Sequence, residues 1–378
     1  MQAQPERVHP LSFSRATPPE RRPVPLALES AEAAGGRAKK SFIRRRGERS
    51  QQIRFWMQAG FSLLTLVSGL QFYLWVRYYE TGGASLQVTR PAGVEAWLPI
   101  AALMKLKAFV LTGIVPEIHP AGLFLLMAFL GISFLYRKAF CSWICPIGTI
   151  SEWLWQFGDA VFGRTFALPR WVDIPLRSLK YVLFGLFAWV VLTMPVPDIQ
   201  AFLHTPYGLI ADVKMLDFFR RMGQATAITL MVLIVLSIFV KNFWCRFLCP
   251  YGAMLGLVAL VSPTRIRRDP AACIDCSKCA KACPAGLPVD RKLSIASAEC
   301  TACMSCVSAC PVVGALDLKM GPRRASVPIE PWPLAVGILV LFLGIVGFAR
   351  FTGQWHTDLP DGMYQELIPR AGEFAHPR

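Results

Sequence analysis

Apolar stretches separated by short charged segments dominate the pattern of this chain. Five of them approach the roughly 20 residues, at about 1.5 Å of rise per residue, that a helix needs to cross the hydrocarbon core of a bilayer. They cover residues 53–76, 120–136, 181–196, 225–240 and 332–348. The pattern therefore predicts an α-helical membrane protein with about five transmembrane helices.

Basic residues at the ends of these stretches predict their orientation, because lysine and arginine concentrate on the cytoplasmic side of a membrane. We expect the N-terminus and the segment before the fifth helix in the cytoplasm, and the C-terminal tail in the periplasm. The protein would then be a multi-pass protein of the bacterial inner (cytoplasmic) membrane. The basic residues that carry this expectation are Arg54, Arg137, Lys138, Arg177, Lys180, Lys241, Arg323 and Arg324.

Two other apolar stretches fit a membrane crossing less well. Residues 98–115 contain Lys105 and Lys107, which favours an interfacial or re-entrant helix over a span. Residues 250–262 are apolar but short. If either stretch crossed the membrane, the predicted sidedness of everything after it would change.

The composition supports a membrane protein, since 54% of the 378 residues are hydrophobic and 17% are charged. The net charge of +16 is densest at residues 37–49, within a Pro-, Ala-, Glu- and Arg-rich N-terminal region without periodicity. An apolar span follows directly, so we interpret residues 1–50 as a disordered basic cytoplasmic arm and expect no binding to nucleic acid. Arg21 and Arg22 precede no apolar region, so we expect no cleavable signal peptide.

Eight of the twelve cysteines form two runs of the type C-x2-C-x2-C-x3-C-P, at residues 273–284 and 300–311. This is the run of bacterial ferredoxins, which bind two [4Fe–4S] clusters and take the fourth ligand of each cluster from the other run. A zinc site is the alternative, but zinc needs four ligands and not eight. We therefore expect one cluster on Cys273, Cys276, Cys279 and Cys310, and the other on Cys300, Cys303, Cys306 and Cys283.

The remaining four cysteines belong to a second repeat. Residues 133–148 and 237–252 align without a gap, and each ends in C-x3-C-P-x-G. Cys141, Cys145, Cys245 and Cys249 could together hold a third metal centre, form a dithiol/disulfide relay, or be small buried thiols. The pattern leaves these three hypotheses open.

These patterns predict an α-helical membrane protein with a two-fold internal repeat and an inserted small α+β domain of the bacterial 2[4Fe–4S] ferredoxin type. The expected segments are a disordered arm (1–50), a four-helix membrane core (51–262), the ferredoxin-like domain (263–325), a fifth transmembrane helix (326–350) and a short periplasmic tail (351–378).

In the order and spacing of these four cysteine motifs, the chain resembles the NapH, NosR and CcoG group of membrane polyferredoxin-like proteins, and NapH-like members most. The resemblance covers about residues 54–320. It implies electron transfer associated with quinol oxidation and with periplasmic reductases, or, in the CcoG branch, copper reduction during oxidase assembly.

We therefore expect a membrane-bound electron-transfer protein that links the quinol pool or a cytoplasmic donor to a periplasmic or membrane redox partner. It would be a subunit of an oxidoreductase system rather than a stand-alone enzyme, and a metal-reducing (copper) assembly factor is the alternative. Both cysteine runs lie on one side of a hydrocarbon core about 30 Å thick. A quinone, the extra thiols or a partner subunit would have to bridge that distance.

Other polar residues admit two interpretations each. His119 and His204 could accept protons or bind a cofactor, or could be interfacial groups. Asp198 and Asp212 could relay protons, or could be loop acids in water. Glu152 could belong to a quinone pocket, or could be a surface acid.

Overall fold

The computed structural model describes residues 49–163, 165–166, 168–322, 325–357 and 359–375. Residues 1–48 lie outside this part of the chain, and with them almost all of the predicted N-terminal arm, including Arg21 and Arg22. Arg323 and Arg324, which contribute to the predicted orientation, also lie outside it.

Fifteen α-helices make up most of the described residues. They are α1 (Ser50–Glu80), α2 (Pro99–Thr112), α3 (Pro120–Tyr136), α4 (Phe140–Trp143), α5 (Pro146–Phe162), α6 (Arg170–Thr193), α7 (Val196–Leu203), α8 (Pro206–Leu209), α9 (Ala211–Arg220), α10 (Gln224–Phe239), α11 (Pro250–Leu260), α12 (Lys278–Lys281), α13 (Ser305–Ser308), α14 (Pro331–Phe351) and α15 (Asp361–Leu367).

Three described helices, α1, α6 and α14, are long and apolar enough to cross a membrane. A fourth crossing is available if α9 and α10, which are bent by 80° at their junction, form one broken span. Helices α3 and α11 are apolar but shorter. Each predicted stretch is therefore helical, while the number of five crossings remains a prediction.

Helix α3 is the central helix of the bundle. Its residues are buried along almost its whole length, and it packs against α2, α11 and α14. An apolar sequence of this kind, hydrophobic on all sides, is expected where protein surrounds a helix completely.

Helix α2, with 14 residues, is too short to cross a bilayer. Its two lysines instead bind backbone carbonyl groups. Lys105 Nζ donates to the carbonyl of His119 at 2.7 Å, and Lys107 Nζ donates to the carbonyls of Val191 and Leu192 at 3.1 and 2.9 Å. These charges thus satisfy backbone acceptors, among them carbonyls at the C-terminal end of α6.

The segment between α11 and α14 contains a three-stranded antiparallel sheet in the order β1 (Thr264–Arg268), β2 (Leu316–Met320) and β3 (Val327–Pro328). Ile266 pairs with Leu318, and both side chains face the core. The two cysteine runs lie between β1 and β2. The pairing of these strands therefore brings the beginning and the end of the cysteine-rich segment together.

The C-terminal tail folds back onto the opposite end of the bundle. Tyr364, Leu367 and Ile368 are buried in an apolar cluster with Trp75 and Tyr79 of α1. Tyr79 Oη donates to Asp361 Oδ1 at 3.1 Å. We call this end of the protein the far end, and the end with the cysteines the thiol end.

Candidate metal centres

The fourth cysteine of each run lies with the first three cysteines of the other run. One small cavity is lined by four thiols that we call the outer set: Cys273, Cys276, Cys279 and Cys310. A second small cavity is lined by four thiols that we call the inner set: Cys283, Cys300, Cys303 and Cys306. The last cysteine of each run therefore lies beside the first three cysteines of the other.

The backbone of the two runs follows the same path. Asp275 and Ser277 in the first run have left-handed conformations, with φ of 54° at both, and the equivalent Ala302 and Met304 have φ of 48° and 58°. Left-handed residues that are not glycine are uncommon and carry strain. Their recurrence at equivalent positions shows that both runs wrap around their cavities with one geometry.

The two sets differ in burial. Cys276 of the outer set is exposed, whereas Cys300, Cys303 and Cys306 of the inner set are buried. In the part of the chain that the structure describes, no group of three His, Cys, Asp or Glu side chains is close enough to hold a single metal ion. Four thiols around one cavity suit a [4Fe–4S] cluster instead, because each thiolate then binds a different iron.

The four cysteines of the C-x3-C-P repeats also lie together. A cavity of about 2000 Å³ is lined by Cys141, Cys145, Cys245 and Cys249, which we call the membrane set, and the Cys245 thiol lies close enough to the other three to interact electrostatically with them. Cys145 and Cys249 cap the helices that begin at Pro146 and Pro250. Among these described residues no disulfide bond joins the four thiols.

The glycine of each C-P-x-G motif lies against the preceding turn. A Cβ atom on Gly148 would be 2.1 Å from the carbonyl oxygen of Cys141, so only glycine fits there. The equivalent approach of Gly252 to the carbonyl of Cys245 is 3.6 Å, and its amide donates to Cys249 Sγ at 3.3 Å. The second copy is wider because residues Trp244–Leu248 form a π-helical turn, where the first copy has the α-helical turn Phe140–Trp143.

Burial raises the pKa of the membrane-set thiols. The pKa of Cys145 rises to about 11, although the amides of Gly148 and Ile147 lower it in part, and burial raises the pKa of Cys245 well above its usual value. Without a bound cation these four groups are neutral thiols at physiological pH.

Buried charged residues surround the thiol end. Lys180 Nζ lies 2.5 Å from Glu299 Oε2, and Lys138 Nζ lies 3.8 Å from the same oxygen. Arg54 donates to both carboxylate oxygens of Glu152 at 2.5 Å, and Gln58 donates to Oε2 at 2.9 Å. Glu152 is therefore a buried residue that lines the large cavity, and the alternative of a surface acid is wrong.

A second buried network lies at the far end. Arg90 donates to Asp212 at 2.7 Å and to Glu95 at 3.0 Å, and it contacts His119 Nδ1 at 2.9 Å. Burial alone would raise the pKa of Glu95, but the hydrogen bond with His119 and the charges of Arg90 and Lys105 lower it to about 2. Arg90 and Asp212 line the large cavity, which thus extends from the membrane set to this network.

The structure places the other sequence candidates differently. His119 is buried in the far-end network, whereas His204 and Asp198 are exposed. Lys138, Lys180 and Glu299 were missed as site residues. The two lysines carry a sequence signal, a basic residue at a helix end, but that signal predicts a membrane flank, and only the fold shows that protein buries both side chains.

Two sets of four thiols, each around one small cavity and joined to apolar helices, define a membrane iron–sulfur protein of the ferredoxin type. The family described as "4Fe-4S binding domain" matches residues 118–165 and 222–268, which contain the membrane set. The family described as "4Fe-4S dicluster domain" matches residues 265–311, which contain the outer and inner sets.

Known proteins of this type are similar to different shares of the chain. The putative electron transport protein YccM of Escherichia coli is 45% identical over 316 residues, which are 83% of this chain and 88% of YccM. The ferredoxin-type protein NapH of Haemophilus influenzae is 26% identical over 61% of this chain and 74% of NapH. The regulatory protein NosR of Pseudomonas aeruginosa is 30% identical over 43% of this chain and 22% of NosR.

The chain belongs to the NapH-like family of membrane ferredoxin-type proteins, as its resemblance to that group implies. No solved structure matches it. It is a bacterial membrane protein of iron–sulfur electron transfer.

Proposed function

We propose that this protein carries single electrons between a quinone in the large cavity and redox partners outside the membrane. The outer and inner sets each bind one [4Fe–4S] cluster, and the membrane set binds a third metal centre. The ferredoxin-like segment faces the cytoplasm, and the far end faces the periplasm.

The observation that carries this proposal is that all four thiols of the membrane set line the same large cavity. Two C-x3-C motifs lie about 100 residues apart in the chain, as their positions at 141–145 and 245–249 show. Their thiols nevertheless meet at one place. Four sulfur donors around one cavity suit a multi-iron centre in which each thiolate binds a different iron, whereas isolated buried thiols have no reason to converge.

The lining of the cavity supports a quinone as the redox substrate. Apolar and aromatic side chains, among them Phe129, Phe140 and Phe184, make up most of its wall and suit an isoprenoid chain. The hydroxyl of Tyr251 and the Arg54–Glu152 pair lie near the thiol end and provide polar groups for a headgroup. Oxidation of one quinol releases two electrons and two protons, so a metal centre beside the headgroup would accept the electrons one at a time.

The cavity is also long enough to provide a route for electrons toward the other side of the bilayer. A hydrocarbon core of about 30 Å separates partners on the two sides. The cavity continues from the membrane set to Arg90 and Asp212 at the far end. A quinone that moves within it, or a periplasmic partner that binds at the far end, would connect the clusters with the opposite side.

The test is to add a menaquinol or ubiquinol analogue to the purified protein and to record cluster reduction by EPR, with and without Cu(II). We expect signals of reduced clusters without copper. The double variant Cys141→Ser/Cys245→Ser should retain about eight iron atoms in the outer and inner sets and lose reduction by quinol.

The variant Cys276→Ser is the matched control, because it removes an exposed ligand of the outer set and leaves the membrane set intact. It should lose only the outer cluster. If reduction required copper, or if copper itself were reduced in place of the clusters, the copper-reducing assembly factor would be the better explanation.

A further inference from the structure

Three cations are buried where the ferredoxin-like segment meets the membrane core. Arg137 and Lys180 are 0% exposed, and Lys138 is 3% exposed. Glu299 is the carboxylate that pairs with the two lysines. We call these four residues the cationic junction. Its formal charge is positive, since three basic groups meet one acid.

Arg137 is the most unusual member of the junction. Among the described residues no carboxylate pairs with it, its Nε and Nη1 atoms have no hydrogen-bond partner, and its Nη2 donates to the carbonyl of Ser297. Its φ is positive, at 59°, which residues other than glycine rarely adopt. The guanidinium lies beside Cys300 of the inner set. The positive charge of Arg137 thus lies beside the thiol of Cys300, and a strained backbone positions it there.

The two lysines face the membrane set as well. Their charges act on the thiols of Cys141 and Cys249, and that of Lys138 also acts on Cys245 and Cys300. The junction therefore lies between the inner set and the membrane set. A buried charge without a counter-charge is strongly unfavourable, so this arrangement requires anions on both sides of it.

The outer set has different surroundings. Arg268 beside it pairs with Asp275 at 3.4 Å, and Asp290 lines the same cavity. One base and two acids give these neighbours a negative formal charge. Asp275 and Cys276 are also exposed, so water screens the charges there more strongly than at the junction.

The charges around each set affect the reduction potential of the cluster that it binds. A [4Fe–4S] cluster with four thiolates is an anion, and each added electron makes it more negative. Burial alone makes reduction of the cluster less favourable, whereas cations beside the cluster make it more favourable. Their effect is strong because the protein interior has a low dielectric constant. Net charge around a cluster is one of the main determinants of its reduction potential.

We propose that the cationic junction compensates the charge of the inner cluster and of the membrane-set centre, and raises their reduction potentials above that of the outer cluster. This rests on the proposed function, which places clusters at these sets. An electron that enters at the exposed outer cluster then passes to the inner cluster: the outer cluster is oxidised by one electron, the inner cluster is reduced by one, and no proton is required. Arg137, Lys138 and Lys180 are positioning residues in this step.

The test is a redox titration of the full-length protein in detergent, followed by EPR. We expect two resolved midpoint potentials for the ferredoxin-like segment, and the variant Cys276→Ser, which loses the outer cluster, should remove the lower one. Arg137→Met should shift the higher potential downward and leave the lower one in place, and Arg137→Lys should restore it. Arg268→Met is the matched control and should shift only the lower potential.

If Arg137→Met shifted neither potential, or if the higher potential belonged to the outer set, the inference would be wrong although the proposed function would stand. If no cluster signal appeared in the unmodified protein, the proposed function itself would fail. If Arg137→Met did not assemble, Lys138→Met provides the same test, because Lys138 acts on both Cys300 and the membrane set.

Discussion

The two ends of the membrane core both bury charged residues, but they balance them differently. At the far end, Arg90 and Lys105 meet Glu95 and Asp212, and the formal charges cancel. At the cationic junction of the thiol end, Arg137, Lys138 and Lys180 meet one carboxylate among the described residues, that of Glu299. A balanced network stabilises the fold by itself, whereas an unbalanced one leaves positive charge that no described carboxylate neutralises. The difference indicates where the protein is built for a cofactor.

The largest effect is expected from Glu95→Gln at the balanced end. Glu95 is fully buried, accepts from Arg90 and from the amide of Gly122, and lies close to Lys105. Its neutralisation leaves a buried positive charge unpaired and should lower the free energy of unfolding by about 3–5 kcal/mol. Thermal unfolding in detergent measures this loss.

Cluster content provides the control for this variant. The outer, inner and membrane sets lie at the opposite end, so iron per protein and the EPR signals of the folded fraction should match the unmodified protein. A variant as stable as the parent would show that the far-end network does not hold the fold together.

A smaller effect is expected from alanine at the two equivalent glycines of the membrane-set repeats. Gly148→Ala places a Cβ atom 2.1 Å from the carbonyl oxygen of Cys141, and the backbone must move, at a cost of about 1–3 kcal/mol. Gly252→Ala meets the carbonyl of Cys245 at 3.6 Å, an ordinary contact. Iron content and thermal unfolding should therefore change in the first variant and stay near parental values in the second.

This pair also measures how far the two repeats differ. Equal losses in both variants would mean that the wider π-helical turn of the second repeat closes when metal binds. In that case the two copies would be equivalent in the loaded protein.

The smallest effect on stability is expected from Glu299→Gln at the unbalanced end. Glutamine can still accept a hydrogen bond from Lys180, and the proposed cluster anions compensate the lysines, so the loss should be about 1 kcal/mol. The same change removes a negative charge between the inner and membrane sets. The higher midpoint potential should rise in a redox titration, and a fall would contradict the comparison between the two ends.

Sequence patterns predict the local parts of this protein well. The apolar stretches are helical, and the spacing of the cysteines predicts which thiols share a cavity, because three ligands in seven residues wrap around one centre without help from the rest of the fold. The repeat of C-x3-C-P motifs also groups the four thiols that line the large cavity, while their role stays a prediction. Helix α3 shows what the local pattern leaves out: its apolar sequence predicts a helix, and only the fold shows that other helices surround it, while its crossing of the membrane stays a prediction.

The sequence by itself therefore determined the helices, the two cysteine runs and the repeated thiol motif, because each depends on residues close together in the chain. Only the tertiary structure decided that Lys138 and Lys180, typical of a membrane flank, are buried beside the cysteines. Burial of Lys180 against Glu299 joins residues 119 positions apart, and packing over such separations leaves no local pattern. The large cavity and the unequal balance of charge at its two ends follow from that packing.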